Sequence, residues 1–273
     1  MTHPPFRFGP ALLFCPADRP DRYRKAADRA DAVILDLEDA VADDAKRAAR
    51  VALVASTLDP ERVIVRLNPA SSPHFADDLA ALAATEYRTV MLAKCEGTAD
   101  LVGLEDHEVI ALCETARGVL AAGEVAALPN VSALMWGAED LVASLGGSSS
   151  RRADGGYRDV AAHARSHVLL AAGAHGVAAV DTVHLDIADL DGLRDEAEDA
   201  VAVGFRATAC IHPSQVEVVR AAYRPAPERL EWARDVLAAA AEAGVGVFAF
   251  RGGMVDAPVL RQAEAVVRRA GRG

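Results

Sequence analysis

Short apolar segments rich in β-branched residues alternate with longer segments of helical periodicity along most of the chain. The apolar segments are nearly continuous, which is typical of strands buried on both faces of a parallel sheet. The predicted strands lie near residues 11–17, 32–39, 63–69, 89–94, 108–115, 131–140, 178–185 and 206–213. The predicted helices lie near residues 21–30, 44–56, 73–84, 97–103, 118–128, 157–176, 189–204 and 214–223.

Eight strand–helix units in series favour a closed (β/α)8 TIM barrel, with an open, doubly wound sheet as the alternative. The polar, proline-broken segment RPAPERL at 224–230 marks a boundary after the eighth unit. We therefore predict a TIM-barrel catalytic domain over residues 1–224 and a small C-terminal helical lid over residues 225–273. The lid segment is predicted to contain two helices, near 228–243 and 258–270, around a short strand and a Gly-Gly turn.

Charge and cysteine content narrow the class of protein. The formal net charge of −11 gives the surface no overall attraction for nucleic acid or for an anionic membrane. The four cysteines form no CxxC pair and lie in apolar segments, which indicates reduced core residues. No apolar run approaches the roughly 20 residues that a membrane span requires. These features predict a cytoplasmic protein.

Polar residues recur at the C-terminal ends of the predicted strands, which is the active-site face of this fold. A single such charge would be an ordinary loop residue or helix cap. Polar residues at the same end of many strands indicate a functional site. The residues concerned are Asp36, Glu38, Asp39, Arg66, Asn68, Lys94, Glu114, Glu139, Asp140 and His212.

Two acids, Glu114 and Asp140, end the neighbouring fifth and sixth predicted strands. Two carboxylates without a Cys/His cluster form an oxygen-rich site that suits Mg²⁺, which keeps several waters in proteins. Zinc would prefer histidine or thiolate ligands. The alternative is that both acids pair with arginines at the rim.

Three cationic features accompany these acids. Arg66 lies within an apolar strand, where its guanidinium suits a carboxylate or a developing oxyanion; an ion pair with Asp36 or Glu38 is the alternative, and both roles could coexist. Arg22 and Lys25 share one helix face and could hold a phosphate-rich ligand, or form a solvated helix face. The lysine at position 94 is also a candidate for Schiff-base chemistry, but the acid pair favours a metal as the electrophile.

Seven segments in this order carry a resemblance to a known family: LLFCPADRPDRYRKA, VILDLEDAV, VIVRLN, ALCETARGV, MWGAEDL, CIHPSQ and GGMVDAPVL. Together they resemble the citrate lyase beta subunit-like proteins, relatives of malyl-CoA lyase, over about residues 11–268. The resemblance implies a TIM barrel with a C-terminal lid, assembled as a homotrimer or a dimer of trimers.

The resemblance also implies roles for individual residues. Glu114 and Asp140 match the family's magnesium ligands, Arg66 matches the arginine on the substrate oxygens, and Asp256 matches a catalytic aspartate that reaches a neighbouring subunit's site. The expected coenzyme A contacts are Arg19, Arg22, Lys25, His212 and Pro213. The expected substrate contacts also include Glu114 and the backbone N–H groups of Gly137, Ala138 and Glu139.

We therefore expect an enzyme with one Mg²⁺ per subunit that cleaves or forms a 3-hydroxyacyl-CoA, giving acetyl-CoA and an oxo acid. Asp256 would move the proton at the acetyl carbon, and Glu38 with Asp39 would orient Arg66, Lys94 or metal-bound waters. Malyl-, citramalyl-, citryl- and hydroxymethylglutaryl-CoA all remain candidate substrates. The alternatives are a thioesterase using the same site, a subunit of a citrate lyase-type complex that recognises an acyl carrier protein, and a metal-free regulatory barrel.

Overall fold

Eight parallel strands close into a barrel in the computed structural model, which describes residues 3–244 and 246–271. Each strand pairs with its sequence neighbours, and the first also pairs with the eighth, so the sheet has no free edge. The strands are Ala11–Pro16 (β1), Ala32–Asp36 (β2), Val63–Leu67 (β3), Thr89–Leu92 (β4), Glu108–Cys113 (β5), Val131–Trp136 (β6), Ala178–Asp181 (β7) and Ala207–Cys210 (β8). The predicted (β/α)8 barrel is confirmed, and the open sheet is excluded.

Helices follow most of these strands and cover the outside of the barrel. They are Pro20–Arg29 (α1), Lys46–Val54 (α2), Phe75–Ala83 (α3), Ala116–Ala126 (α4), Ala138–Ser144 (α5), Asp159–His175 (α6), Leu190–Val203 (α7) and Pro213–Tyr223 (α8). The connection between β4 and β5 contains only the 3-10 turn Thr98–Leu101, where the sequence pattern predicted a short helix. No helix among the described residues combines the length and apolarity needed to cross a bilayer.

The barrel interior is an apolar column built from alternate residues of the strands. Its buried members include Leu12, Ile34, Ile64, Met91, Ile110, Leu112 and Met135. Side chains alternate between the two faces of a strand, so the residues two positions after Ile34 and Ile64, Asp36 and Arg66, also face inward at the C-terminal rim. The alternation of side chains that directs apolar residues into the core therefore also directs charged groups into the mouth of the barrel.

The sixth strand is shorter than predicted. It was expected to extend through Asp140, but it ends at Trp136, and α5 begins at Ala138 after Gly137. Glu139 and Asp140 thus lie in the first turn of a helix rather than at the end of a strand. Seven helical residues are too few to produce a clear 3.6-residue period in the sequence, which is why this helix was missed.

The chain divides into two compact units, Met1–Val219 and Arg220–Gly273. The second unit contains α9 (Pro227–Ala243), the antiparallel hairpin β9 (Phe248–Phe250) and β10 (Gly253–Val255), and α10 (Ala257–Ala270). Its own small core includes Ala233, Val236, Val255, Ala263 and Val266. The single short strand predicted here is in fact one arm of the hairpin. The role of this unit as a lid stays a prediction.

Candidate functional site

A buried ion pair joins β2 and β3 at the C-terminal rim of the barrel. Asp36 and Arg66 are register partners, and the Nε and Nη2 atoms of Arg66 donate to the two carboxylate oxygens of Asp36 at 2.7 and 2.6 Å. The guanidinium carbon also lies 4.8 Å from the centroid of the Phe14 ring. Burial alone would lower the pKa of Arg66, but Asp36 and Glu38 hold that pKa above its ordinary value. The guanidinium therefore stays charged inside the barrel mouth.

Glu38 connects this pair to a second cation, Lys94. One Glu38 oxygen lies 3.1 Å from Nη1 of Arg66, and the other accepts a hydrogen bond from Nζ of Lys94. The Lys94 ammonium also lies 3.0 Å from Asp39 Oδ2 and 3.3 Å from Asp140 Oδ1. Burial would lower the pKa of Lys94, but its hydrogen bond to Glu38 holds that pKa above its ordinary value. A Schiff-base nucleophile requires a neutral amine, so this environment argues against that role.

Glu114 follows β5 and lies close to Asp140, Arg66 and Lys94. Its Oε1 accepts a hydrogen bond from the Lys94 backbone N–H at 3.0 Å, and its side chain is buried. Burial, with the nearby Asp140 carboxylate adding to it, raises the pKa of Glu114 to about 8. A buried carboxylate beside a second, partly exposed carboxylate favours a cation between them.

Close packing of the backbone makes room for Glu114. A Cβ atom at Gly137 would lie 2.7 Å from Glu114 Oε2 and 2.8 Å from Glu114 Cβ, so a larger residue here would displace the carboxylate. Gly137 also immediately precedes α5, which carries Asp140 in its first turn. The glycine therefore brings the two acids of neighbouring β–α connections to one place.

We call the following seven residues the rim cluster: Asp36, Glu38, Asp39, Arg66, Lys94, Glu114 and Asp140. Its five carboxylates outnumber its two cations, and a divalent cation would offset most of this excess. Within residues 3–244 and 246–271, no three His, Cys, Asp or Glu side chains are grouped as a metal cage. A pair of carboxylates that leaves the other positions to water and substrate fits Mg²⁺ better than zinc or a calcium cage.

The sequence pattern missed a lysine that supports the rim cluster from beneath. Lys46 is buried, and its Nζ donates to the carbonyls of Leu37 and Glu38, each at 2.8 Å, and to Asn68 Oδ1 at 2.9 Å. Asn68 in turn donates to Leu37 O and to the buried carboxylate of Asp78. The available signal was that Lys46 shares the apolar face of α2 with buried residues three and seven positions later.

The basic residues expected to hold coenzyme A phosphates lie around the start of α1. The Nε and Nη2 atoms of Arg19 donate to the two carboxylate oxygens of Asp21 at 3.0 and 2.9 Å. Arg22 and Lys25 are exposed, and no carboxylate of the described residues forms an ion pair with either. The geometry therefore leaves two cations available to an anion, while Arg19 would have to exchange partners.

The remaining predicted site residues lie in separate places. His212 and Pro213 are exposed at the start of α8, where His212 Nδ1 lies 2.8 Å from Ser214 Oγ. Glu139 is exposed and accepts a hydrogen bond from the Ser150 hydroxyl, whereas Ala138 is buried. Asp256 belongs to the second unit, where it caps α10 by accepting a hydrogen bond from Val259 N at 3.3 Å. The assigned roles of these residues stay predictions.

Replacing Arg66 by Met is expected to lower the free energy of unfolding by about 3–5 kcal/mol, because it leaves the fully buried Asp36 carboxylate without its cation. Urea denaturation of the metal-free protein measures this change. Adding Asp36→Asn should recover part of the loss, since it removes the unpaired buried charge and keeps one acceptor oxygen for the N–H of Glu38. A loss below about 1 kcal/mol would show that the pair does not hold the rim together.

Comparisons with known proteins identify the family of the chain. The family model described as HpcH/HpaI aldolase/citrate lyase matches residues 11–213. The chain is 60% identical over 263 residues to a citrate lyase subunit beta-like protein of Mycobacterium tuberculosis, covering 96% of each chain. It is 32% identical to the mitochondrial citramalyl-CoA lyase of Mus musculus, covering 95% of this chain and 85% of the relative. It is 36% identical to a (3S)-malyl-CoA thioesterase of Cereibacter sphaeroides, covering 92% and 90%.

A solved structure matches closely as well. The protein CitE of Mycobacterium tuberculosis, in complex with magnesium, acetoacetate and coenzyme A, superposes with a TM-score of 0.91 at 60% identity. The match covers 97% of this chain and 98% of that chain. The structure of CitE in complex with magnesium and pyruvate matches with a TM-score of 0.83 at 54% identity, covering 96% and 98%.

Proposed function

The chain belongs to the HpcH/HpaI aldolase/citrate lyase family and is a carbon–carbon lyase, and from that premise we propose that its substrate is a 3-hydroxyacyl-CoA. The proposed reaction is the magnesium-dependent cleavage of this thioester to acetyl-CoA and an oxo acid, or the reverse condensation. Malyl-, citramalyl-, citryl- and hydroxymethylglutaryl-CoA are the candidate substrates. The occurrence of magnesium, coenzyme A and acetoacetate together in the similar CitE structure supports this choice.

The rim cluster is the observation that carries the proposal. Glu114 and Asp140 would hold the Mg²⁺ ion, which when bound supplies Lewis-acid polarisation of the oxygen that changes charge during the reaction. The Lys94 backbone N–H contacts Glu114 and the Lys94 ammonium contacts Asp140, which supports a shared site for the two acids. A buried carboxyl whose pKa is raised by burial and by a neighbouring carboxylate is typical of a functional site, which supports the proposal.

Arg66 would stabilise the negative oxygen of the reacting carbonyl. Asp36 accepts hydrogen bonds from Nε and Nη2 of Arg66, and Glu38 lies against Nη1. One N–H on each of the two terminal nitrogens is therefore left for a substrate oxygen. Because Asp36 and Glu38 fix the plane of the guanidinium, the donors are oriented before substrate binds. The ion pair and the substrate contact are therefore compatible roles of one side chain.

Asp256 would move the proton at the acetyl carbon. In condensation, its carboxylate removes a proton from the methyl carbon of acetyl-CoA, that carbon bonds to the carbonyl carbon of the oxo acid, and the carbonyl oxygen takes a proton from solvent to become the hydroxyl. In cleavage, the hydroxyl gives its proton to solvent and its oxygen becomes the carbonyl of the oxo acid. The carbon–carbon bond breaks, its electron pair stays on the acetyl fragment, and the protonated carboxyl returns a proton to that carbon. We propose that this residue acts in a neighbouring subunit's site, within a homotrimer or a dimer of trimers.

Binding of coenzyme A is assigned to the basic segment around the start of α1 and to the loop before α8. Arg22 and Lys25 are the exposed cations that support this assignment. His212 and Pro213 are included because they are exposed and follow β8, the strand that pairs with β1. A cytoplasmic location is a further part of the proposal, and it is supported by four free and buried cysteines. Neither nucleic acid nor a membrane is a proposed partner.

A thioesterase is the second candidate function, because the chain is 36% identical to a protein named (3S)-malyl-CoA thioesterase. In that reaction the same pocket would bind the hydroxyacyl-CoA, but water would attack the thioester carbonyl. A non-autonomous subunit is the third candidate, supported only by the name citrate lyase subunit beta-like of a relative.

One assay separates these candidates. The purified chain is incubated with Mg²⁺ and each of the four hydroxyacyl-CoA esters, and the products are identified by mass spectrometry, with a chelator as the control. Acetyl-CoA and an oxo acid in equal amounts are expected. Free coenzyme A with an intact hydroxy acid would identify a thioesterase. Inactivity that an acyl carrier protein restores would identify a subunit of a larger lyase.

A further inference from the structure

Lys94 has an unusual backbone conformation for a residue with a side chain. It lies two residues after β4 with a φ of 48°, in the left-handed region that glycine favours. Arg251 is the other described non-glycine residue with positive φ, and it belongs to the turn of the C-terminal hairpin. A lysine held in this conformation next to the two candidate metal ligands indicates a constraint from its surroundings.

The neighbouring chain fixes this conformation from two sides. The N–H of Cys95 donates to the carbonyl of Leu112 in β5 at 3.0 Å. On the opposite side, α4 packs directly against this segment, since a Cβ atom at Gly118 would lie 2.3 Å from the Cys95 carbonyl oxygen. The position of the Lys94 backbone is therefore set by β5 and α4, independently of what its side chain contacts.

Through this fixed backbone, one residue reaches both candidate metal ligands. The Lys94 N–H donates to Glu114 Oε1 at 3.0 Å, and the Lys94 Nζ lies 3.3 Å from Asp140 Oδ1. The same ammonium contacts Glu38 and Asp39, so its three donors face three carboxylates. Two of these carboxylates would remain as partners if a metal ion took the Asp140 oxygen.

We propose that Lys94 is a positioning residue that orients Glu114 through its backbone N–H and acts as a resident counter-ion of Asp140 that competes with the divalent cation. This inference rests on the proposed metal site. The ammonium weakens the binding of Mg²⁺ alone by direct competition and by charge repulsion. It also adds positive potential for an anionic oxo acid, so cation and oxo acid bind best together.

Removal of the ammonium should shift the two affinities in opposite directions. In Lys94→Met, Mg²⁺ binding by calorimetry and Mn²⁺ binding by electron paramagnetic resonance are expected to tighten about tenfold or more without oxo acid. Pyruvate binding at saturating metal is expected to weaken about tenfold. A merely structural role would weaken both, so the opposite signs identify the counter-ion role.

Matched variants control for charge and folding. Lys94→Arg keeps the charge and should keep both affinities near the wild-type values. Lys94→Gly removes the ammonium but keeps the N–H and relieves the left-handed backbone, so it repeats the Met result should that variant fold poorly. Arg47→Met removes an exposed cation on α2, outside the rim cluster and the proposed coenzyme A contacts, and should leave metal affinity unchanged.

The outcomes distinguish this inference from the proposed function. If the wild-type protein binds metal and neither Lys94→Met nor Lys94→Gly tightens that binding, the role of Lys94 is overturned and the metal site stands. Failure of the wild-type protein to bind Mg²⁺ or Mn²⁺ would overturn the metal site itself and the inference with it.

Discussion

Glu114→Gln is expected to lower kcat/KM for hydroxyacyl-CoA cleavage by about 10³-fold or more, because it removes one of the two carboxylates proposed to hold Mg²⁺. Asp140→Asn should have an effect of similar size. Both substitutions preserve side-chain shape, so the loss is expected without unfolding. Steady-state assays with a titration of Mg²⁺ measure it, and added metal should restore part of the rate if affinity is the step that fails.

Glu96→Gln is a matched control for charge removal at the same rim. Glu96 accepts a hydrogen bond from the Thr115 hydroxyl at 2.9 Å, outside the rim cluster, and we expect its substitution to change the rate by less than about twofold. Wild-type turnover in both Glu114→Gln and Asp140→Asn after treatment with a chelator and return of Mg²⁺ would place the metal site elsewhere.

The pH dependence of the free energy of unfolding is an independent test of the environment of Glu114. The pKa of Glu114 in the metal-free protein is raised from 4.5 to about 8, so the folded state holds its proton more tightly than the unfolded state. Its contribution to stability is fully present below pH 4.5 and is lost as pH rises to about 8. Glu114→Gln should abolish this loss, which makes the variant more stable than the wild type at alkaline pH in the presence of a chelator.

The fold was accessible from sequence because the strands of a closed barrel are buried on both faces. Runs such as Ala32–Asp36 and Val63–Leu67 are short, apolar and β-branched. The first ends in Asp36, and the second carries Arg66 one residue before its end, so each brings a charge to the rim. The helix Ala138–Ser144 was not predicted, because its first turn is acidic and it is too short to show a 3.6-residue hydrophobic period. The strand boundary near Asp140 was therefore wrong although the strand itself was correctly placed.

The site was accessible only as a set of residue types. Positions at strand ends predicted that Arg66, Glu114 and Asp140 would share the rim, because parallel strands end on one face. Their partners depend on backbone geometry that no local pattern encodes. The left-handed conformation of Lys94 has no glycine to signal it, and the contacts of Lys46 join segments that are 22 residues apart in sequence. Sequence patterns identify candidate groups, whereas tertiary packing determines which of them act on one another.

Asp256→Asn is expected to lower kcat by about 10²–10⁴-fold with little change in the KM for the thioester, because it removes a proposed acid–base group and no binding charge. Asp256 caps α10 through Val259 N, and Asn is an equally good helix cap. The melting temperature should therefore stay near that of the wild type. Asp256→Ala loses the cap as well, so a larger drop in stability with a similar loss of rate would separate the two roles of the carboxylate.

Mixing two inactive variants tests where Asp256 acts. If it serves a neighbouring subunit, random assembly of Asp256→Asn and Glu114→Gln subunits creates about a quarter of sites with one intact Glu114 and one intact Asp256. Activity should therefore rise from nearly zero towards that fraction of the wild-type rate after the two proteins are unfolded and refolded together. If Asp256 instead serves its own subunit, every subunit of the mixture carries one defect and the rate stays at the level of the separate variants. Recovery of activity would thus establish both the catalytic role and the shared site, because neither variant can supply both carboxylates to one pocket alone.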